Sequence, residues 1–329
     1  MNPRLNWHPV KTHPHGYWTG LSESIELQER NNPGLLPNLR HGSELVIASD
    51  YAGAGLAYQA ISFIMLSVPG NDEWDKHRTH FRRQHLPDER EISYKRLRPT
   101  NHTAKALLPF LDAADCITGL LITFLLSRSI GNMISKYQRA EIQKTLPEFA
   151  GWKTHAYEML FTVASLLGLL VAGLSAPDQN IWWLTDRDEI VANNQRILMT
   201  TRVFGAICKG FLSHNLGALR CGTEVFDQGT GHVKDLVSLT DLSSSALAEV
   251  WHWNAKDGVL PTGLQFVSSS EKIPPKARVI VGWLARKDKP LKKLVCVFDP
   301  ATDRTGRHLN YYWPGFDVNE QREEYLAKS

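Results

Sequence analysis

The stretch Glu44–Asp50, ELVIASD, carries Leu45, Val46, Ile47 and Ala48 without interruption and ends on a carboxylate. A strand with one wet face alternates polar and apolar residues, so this run reads as a strand covered on both faces. Chain must therefore be packed above and below it. Asp50 is expected where the strand leaves the sheet. Tyr51 and the small residues Ala52–Gly55 follow, a turn through which backbone or ligand can approach closely. An aspartate here can simply open a turn, and the rest of the chain bears on whether this one does more.

Leu56–Val68, rich in β-branched and aromatic residues, predicts the second strand of a hairpin. Helices are expected over Asn71–Leu86, Thr103–Asp115, Ile134–Leu146, Trp152–Leu174, Asn194–Leu212 and Leu236–Trp253. Strands are expected over Glu91–Leu97, Thr118–Ser127 and Ile181–Thr185, and a short helix near Ser22–Glu29. The tail predicts a hairpin, Arg278–Ala285 with Leu291–Phe298, joined by KDKP. The expected fold is thus α/β, a mixed β-sheet flanked by helices on both faces, with a C-terminal hairpin extension. The expected parts are an arm or cap (1–41), the α/β domain (42–256) and the basic hairpin extension (257–329). No internal repeat appears.

Met159–Ala176 is about long enough to span a bilayer. Polar and small residues dilute it, however, and no basic cluster or aromatic belt frames it, so it is expected to be a buried central helix, without stable membrane insertion. The chain opens on a His-, Pro- and Trp-rich segment without the apolar core of a secretory signal. Its four cysteines are far apart with no CxxC pair, which suits buried thiols in a reducing cytoplasm. A net charge of +3 is too small to name a partner by itself.

The run IWWLT ends in Asp186, Arg187, Asp188 and Glu189, so a second buried strand delivers carboxylates at its exit. A third carboxylate comes from the late helix. In LVSLTDLSSSALAEV the residues Leu239, Leu242, Ala246 and Val250 form an apolar stripe, while Asp241 shares a face with Ser238, Ser245 and Ala248. Small residues let that face approach a sheet closely. An acidic residue near a helix N-terminus also complements the helix dipole.

An Asp closing the first strand of a hairpin, an Asp closing a later central strand and an Asp on a helix of the last third together resemble the ribonuclease H-like superfamily. The pattern is similar to a bacterial family of uncharacterised RNase H-like proteins whose first strand reads Asp-Glu-Ser-Gly. The stretches that carry it are VIASDYAGAG, ISYKRL, WWLTDRDEIVANN and KDLVSLTDLSSSALAEV. The sequence departs from the family at Tyr51, where the family has Glu. For the glutamate that many such enzymes place on their first helix, Asp112 and Asp115 are the candidates by position.

The resemblance implies a metal-dependent nuclease using Mg2+ or Mn2+, with a non-catalytic nucleic-acid-binding module as the alternative. Paired divalent ions activate a water and offset charge on the leaving oxygen, and hard cations take carboxylate oxygens. Asp50 would bridge, Asp186 or Asp188 would be the second ligand, Asp241 would complete one metal, and Lys95 would bind a phosphate.

The segment Lys76–Arg98 contains eight Lys or Arg against three acidic residues, interleaved with Phe81 and Tyr94. A phosphate-tracking face with stacking rings has this composition, and so does an ordinary solvated face. Arg82, Arg83, Lys95, Arg96 and Arg98 are the expected nucleic-acid contacts, DNA or RNA. The basic residues of the tail, Arg278, Arg286, Lys287, Lys289, Lys292 and Lys293, could extend the surface or guard an edge strand. The histidine groups lack Cys or carboxylate companions at ligand spacing. GAG at Gly53–Gly55 lacks a third glycine and a following helix, and neither a P-loop nor a GxSxG elbow is present.

Overall fold

A computed structural model of the protein describes residues 5–10, 17–88, 90–98, 102–131, 147–227, 231–259, 271–300 and 309–315, together with residues 140, 142 and 144. Its helices are α1 (Tyr17–Asn31), α2 (Asp72–His85), α3 (His102–Ala114), α4 (Thr154–Leu174), α5 (Asn194–Phe211), α6 (His232–Lys256) and α7 (Pro275–Leu284). Its strands are β1 (Glu44–Ala52), β2 (Tyr58–Val68), β3 (Gly119–Ser127), β4 (Asn180–Thr185), β5 (Leu219–Thr223), β6 (Leu291–Pro300) and β7 (Leu309–Tyr312).

The strands form one mixed sheet in the order β5-β4-β1-β2-β3-β6-β7. The antiparallel meander β1-β2-β3 sits at its centre. β4 and β5 add parallel beside β1, and β6 adds parallel beside β3. Helices cover both faces, as the unbroken apolar runs require. One layer packs α1, α4 and α5 on Leu45, Ile47, Phe63, Phe124 and Trp183. The other packs α2, α3, α6 and α7 on Ala48, Ile64, Leu121, Leu125 and Val295. Alternation along β1 thus sends even-numbered side chains toward α6 and odd-numbered ones toward α4.

The helix α4 is long and apolar enough to cross a membrane, with mean hydropathy 1.8 over its most apolar window, and 72% of that window is buried inside the protein. Its glycine face admits the indole of Trp7, since a Cβ at Gly173 would stand 2.2 Å from that ring. Trp7, Leu21, Ile25 and Leu39 from the first 41 residues join the same core. The full chain is expected to stay in aqueous buffer without detergent, and sedimentation of a lysate checks this. Recovery in the membrane pellet alone would overturn it.

Two expected strands are not strands. Glu91–Leu97 is a loop with one 3-10 turn, Tyr94–Arg96. Ile92 and Tyr94 are buried in alternation, which mimicked a strand, but the Tyr94 N–H donates to a carboxylate rather than to a neighbouring strand. Arg278–Ala285 lies in α7, where Pro275 opens the helix and Ala277, Ile280, Val281 and Leu284 follow at helical spacing. The tail therefore holds no such hairpin. Its strand Leu291–Pro300 is an inner strand of the sheet, paired with β3 and β7. Most of the expected helix Ile134–Leu146 lies outside the described residues.

Candidate active site

Asp50 lies within β1 rather than at its exit, opposite Ser62 of β2. The ladder between β1 and β4 ends at Ser49 and Thr185, so Asp50 and Asp186 are the next residues along two adjacent parallel strands. Both even-numbered positions turn toward α6, which crosses β1 and β2 on that face. α6 approaches through small side chains. Thr123 Oγ1 is 2.7 Å from Ser62 Oγ and 2.8 Å from Ser243 Oγ, and Ser244 Oγ donates to Asp50 Oδ2 at 2.7 Å. Asp241, one turn earlier on the helix, accepts from the Tyr94 backbone N–H at 2.6 Å and from Ser245 Oγ at 3.1 Å.

The three carboxylates from β1, the end of β4 and α6 therefore share one end of the sheet. Burial pushes the Asp50 carboxyl well above the usual carboxylate range. Asp241 and Asp186 push it further, against the Ser244 hydroxyl and the Tyr51 backbone N–H. Burial also raises Asp241, opposed by its bonds from Tyr94 and Ser245, with Asp186 adding to the rise.

Two carboxylates that do not stand out in the sequence join them. Glu91 is raised by burial and by Asp186, Asp241 and Glu224, while Arg96 lowers it. Glu224 directly follows β5, so three parallel strands in succession deliver an acidic residue at the carboxyl end, where open α/β sheets bind ligands. Glu224 Oε2 is shielded from solvent and accepts no hydrogen bond among the described residues. The available signal was a repeat of the Asp50 and Asp186 pattern, hidden because LRCGT is short and its arginine breaks the apolar run.

Lys276 of α7 likewise carries no signal in the sequence. Its Nζ donates to the Tyr94 carbonyl at 2.8 Å and lies 3.8 Å from the centre of that ring. Burial lowers its pKa, and Glu249 and Asp241 oppose that shift. The Tyr94 hydroxyl donates to Glu249. Tyr94 and Lys276 together fix the loop that presents Glu91 and Lys95 and hold a donor on Asp241.

Asp188 is placed differently from Asp186. It bonds the Tyr51 hydroxyl, and its Oδ1 accepts from the backbone N–H groups of Ile190 at 2.8 Å and Val191 at 3.3 Å. Because Tyr51 points to the α4 side, opposite Asp50, a glutamate in its place would not face Asp241. Asp112 and Asp115 are bound to Arg286 of the segment after α7 and do not join these carboxylates. Arg82, expected on a nucleic-acid face, is turned inward onto buried Asp235 together with Arg78. Phe81 and Tyr94 are buried and present no stacking surface. Arg83, Lys95, Arg96 and Arg98 are exposed.

The donors at this end are carboxylate and hydroxyl oxygens, the set that hard divalent cations take. Repelling carboxylates that a cation would neutralise, and an unbonded buried Glu224 oxygen, fit such an ion. Among the described residues no group of three or more His, Cys, Asp or Glu side chains closes into an ion-binding cage. Compared with known protein families and with curated proteins, the sequence matches none of either.

Proposed function

We propose that the protein is a divalent-metal-dependent nuclease built on a ribonuclease H-like core. The observation that carries this reading is the juxtaposition of Asp50 on β1, Asp186 directly after the adjacent parallel strand β4 and Asp241 on the helix across them, with Asp241 and Asp186 raising the proton affinity of Asp50 and Asp186 that of Asp241. The order β3-β2-β1-β4-β5, with β2 antiparallel to its neighbours and β1, β4 and β5 parallel, supports the same core.

Asp50, Asp186 and Asp241 would hold Mg2+ or Mn2+. When bound, such an ion supplies a water of lowered pKa and charge for the leaving oxygen of a phosphodiester. Ser244 aims the Asp50 carboxylate, while Tyr94 and Ser245 aim that of Asp241. Asp188 buttresses Tyr51 on the opposite face and is not assigned a ligand role.

The chain is expected to cut labelled DNA or RNA in millimolar Mg2+ or Mn2+ and to stop when EDTA is added. The lack of a closed three-residue ion cage among the described residues favours a second reading, a nucleic-acid-binding module without catalysis. A metal-induced rise in melting temperature without cleavage would select that module over the nuclease.

A further inference from the structure

The loop carrying Glu91 and Lys95 borders an open groove of about 600 Å³ lined by Arg90, Glu91, Lys95, Arg96, Arg98 and Thr103. Four of the six lining residues are cations. Arg90 is paired with Asp88 at 2.7 Å and Arg96 with Glu91 at 3.5 Å. Lys95 and Arg98 are exposed and have no ion-pair partner among the described residues. Glu91 belongs both to this wall and to the carboxylate group, through its coupling to Asp186 and Asp241. The groove lies beside the carboxylates, since the turn that carries Lys95 and Arg96 is bonded to Asp241 through the Tyr94 N–H at 2.6 Å.

The wall is held firmly. Tyr94 is bonded through its N–H to Asp241, through its carbonyl to Lys276 and through its hydroxyl to Glu249, so the 3-10 turn that carries Lys95 and Arg96 is anchored to α6 and α7. The Tyr94 ring is turned inward, which leaves charge without a stacking platform. The other cationic element, α2, has given Arg78 and Arg82 to Asp235.

We propose that this groove is a phosphate track, which binds the backbone of a single-stranded nucleic acid without regard to base sequence and leads it to the carboxylates. Its volume lies in the range of clefts that take small ligands, about 300–1,000 Å³, room for a short run of one strand rather than for both strands of a duplex. Phosphates matched to Lys95 and Arg98 supply affinity but no sequence information. This inference deepens the nuclease reading and rests on it for the role of the carboxylates.

The test measures fluorescence anisotropy of labelled 12-nucleotide oligo-dT and oligo-U, with a hairpin duplex as comparison, against the full chain carrying Asp50→Asn so that the probe survives. Titrations run over a series of KCl concentrations with Mg2+ present. Single strands of both kinds are expected to bind more tightly than the duplex. Lys95→Ala with Arg98→Ala should lower affinity at least tenfold and reduce the slope of log K against log salt by about 1.4, roughly 0.7 for each of the two phosphates left without a cation. Lys209→Ala, an exposed cation of α5 on the other face of the sheet, should change neither. Both groove side chains are exposed, so an unchanged melting temperature verifies the fold of the double variant.

Unchanged affinity in that variant, a larger loss from Lys209→Ala, or tighter binding of the duplex would overturn the track. The nuclease reading fails separately. Wild-type protein that binds single strands through Lys95 and Arg98 but never cuts them keeps the groove and loses the nuclease. Cleavage with a KM unmoved by the double variant does the reverse.

Discussion

Asp50→Asn is expected to raise the melting temperature of the metal-free protein at neutral pH while removing the rise that Mg2+ or Mn2+ is expected to give the wild type. The substitution keeps side-chain volume and an oxygen for Ser244, and it removes a charge that burial, Asp241 and Asp186 all disfavour. A carboxyl whose folded pKa is raised favours folding fully below its unfolded pKa, roughly 3.9 for Asp, and loses that contribution as pH climbs through the folded value. The advantage of Asn over Asp should therefore be small near pH 4 and grow toward pH 7.5.

In the wild type a ligand that binds only the folded state adds stability by mass action, about 2.7 kcal/mol at one hundred times its Kd. The variant lacks the central charge and should show little of this. Cleavage should fall by roughly 10²-fold or more, since even residues that only support metal ligands cost about 10–100-fold when removed. Scanning calorimetry across pH, with and without metal, reads every arm. An Asn variant that is less stable than wild type at neutral pH and gains equally from metal would show that Asp50 is a structural hydrogen-bond acceptor and nothing more.

Asp115→Ala should be strongly destabilising although it lies outside the site. Asp115 accepts from Lys293 Nζ at 2.5 Å, Trp283 Nε1 at 2.9 Å and Arg286 Nη1 at 3.2 Å, tying α3, α7 and β6 together. The Lys293 side chain is only 1% exposed. Burial already lowers its pKa, and Asp115 is the main opposing influence. Removing one member of a buried pair leaves the other charge without compensation, at a cost of about 3–5 kcal/mol.

Lys293→Met should cost far less, because Asp115 keeps Arg286 and the indole. In Asp115→Ala the penalty should shrink as pH approaches the unfolded lysine pKa of roughly 10.4, where the ammonium no longer has to lose its proton on folding. Urea denaturation of the two single variants and their double decides the matter. A cost below about 1 kcal/mol for Asp115→Ala would mean that water reaches Lys293 and that the network is not what holds β6.

Most of the central sheet could be read from the sequence, and for one reason. β1, β3 and β4 are covered on both faces, so they appear as continuous apolar runs, and the carboxylates at or near their ends stand out by contrast. β5 escaped notice because it is short and exposes Arg220, which lies 4.7 Å over Trp182. The helix α7 reads as a strand because Val279, Ile280 and Val281 are β-branched, a local preference that the packing of Ala277, Ile280 and Leu284 overrides.

Asp50, Asp186 and Asp241 could be singled out by their place in local patterns. Glu91, Glu224 and Lys276 could not, since Glu91 reaches the site through the loop bonded to Asp241, Glu224 through the pairing of β5 with β4 and Lys276 through the docking of α7 beside α6. The basic run Lys76–Arg98 held the opposite lesson. Its charge was visible, but not its division between Arg78 and Arg82, consumed by Asp235, and Lys95 and Arg98, which face solvent.

The position of β6 sets a condition on how this protein comes off the ribosome. Gly119–Leu126 pairs with Leu291–Phe298, so the outer side of β3 has no neighbour until the chain has been made almost to residue 300. During that interval the nascent sheet would offer an apolar strand edge, GLLITFLLS, with its backbone donors and acceptors unpaired, the kind of edge that recruits other chains. A shortened version ending at residue 256, the boundary expected from the sequence for the α/β domain, carries that edge permanently. Late synthesis of β6 relative to β3 thus makes the addition of residues 291–298, rather than formation of the central meander, the point at which this edge is shielded from other chains.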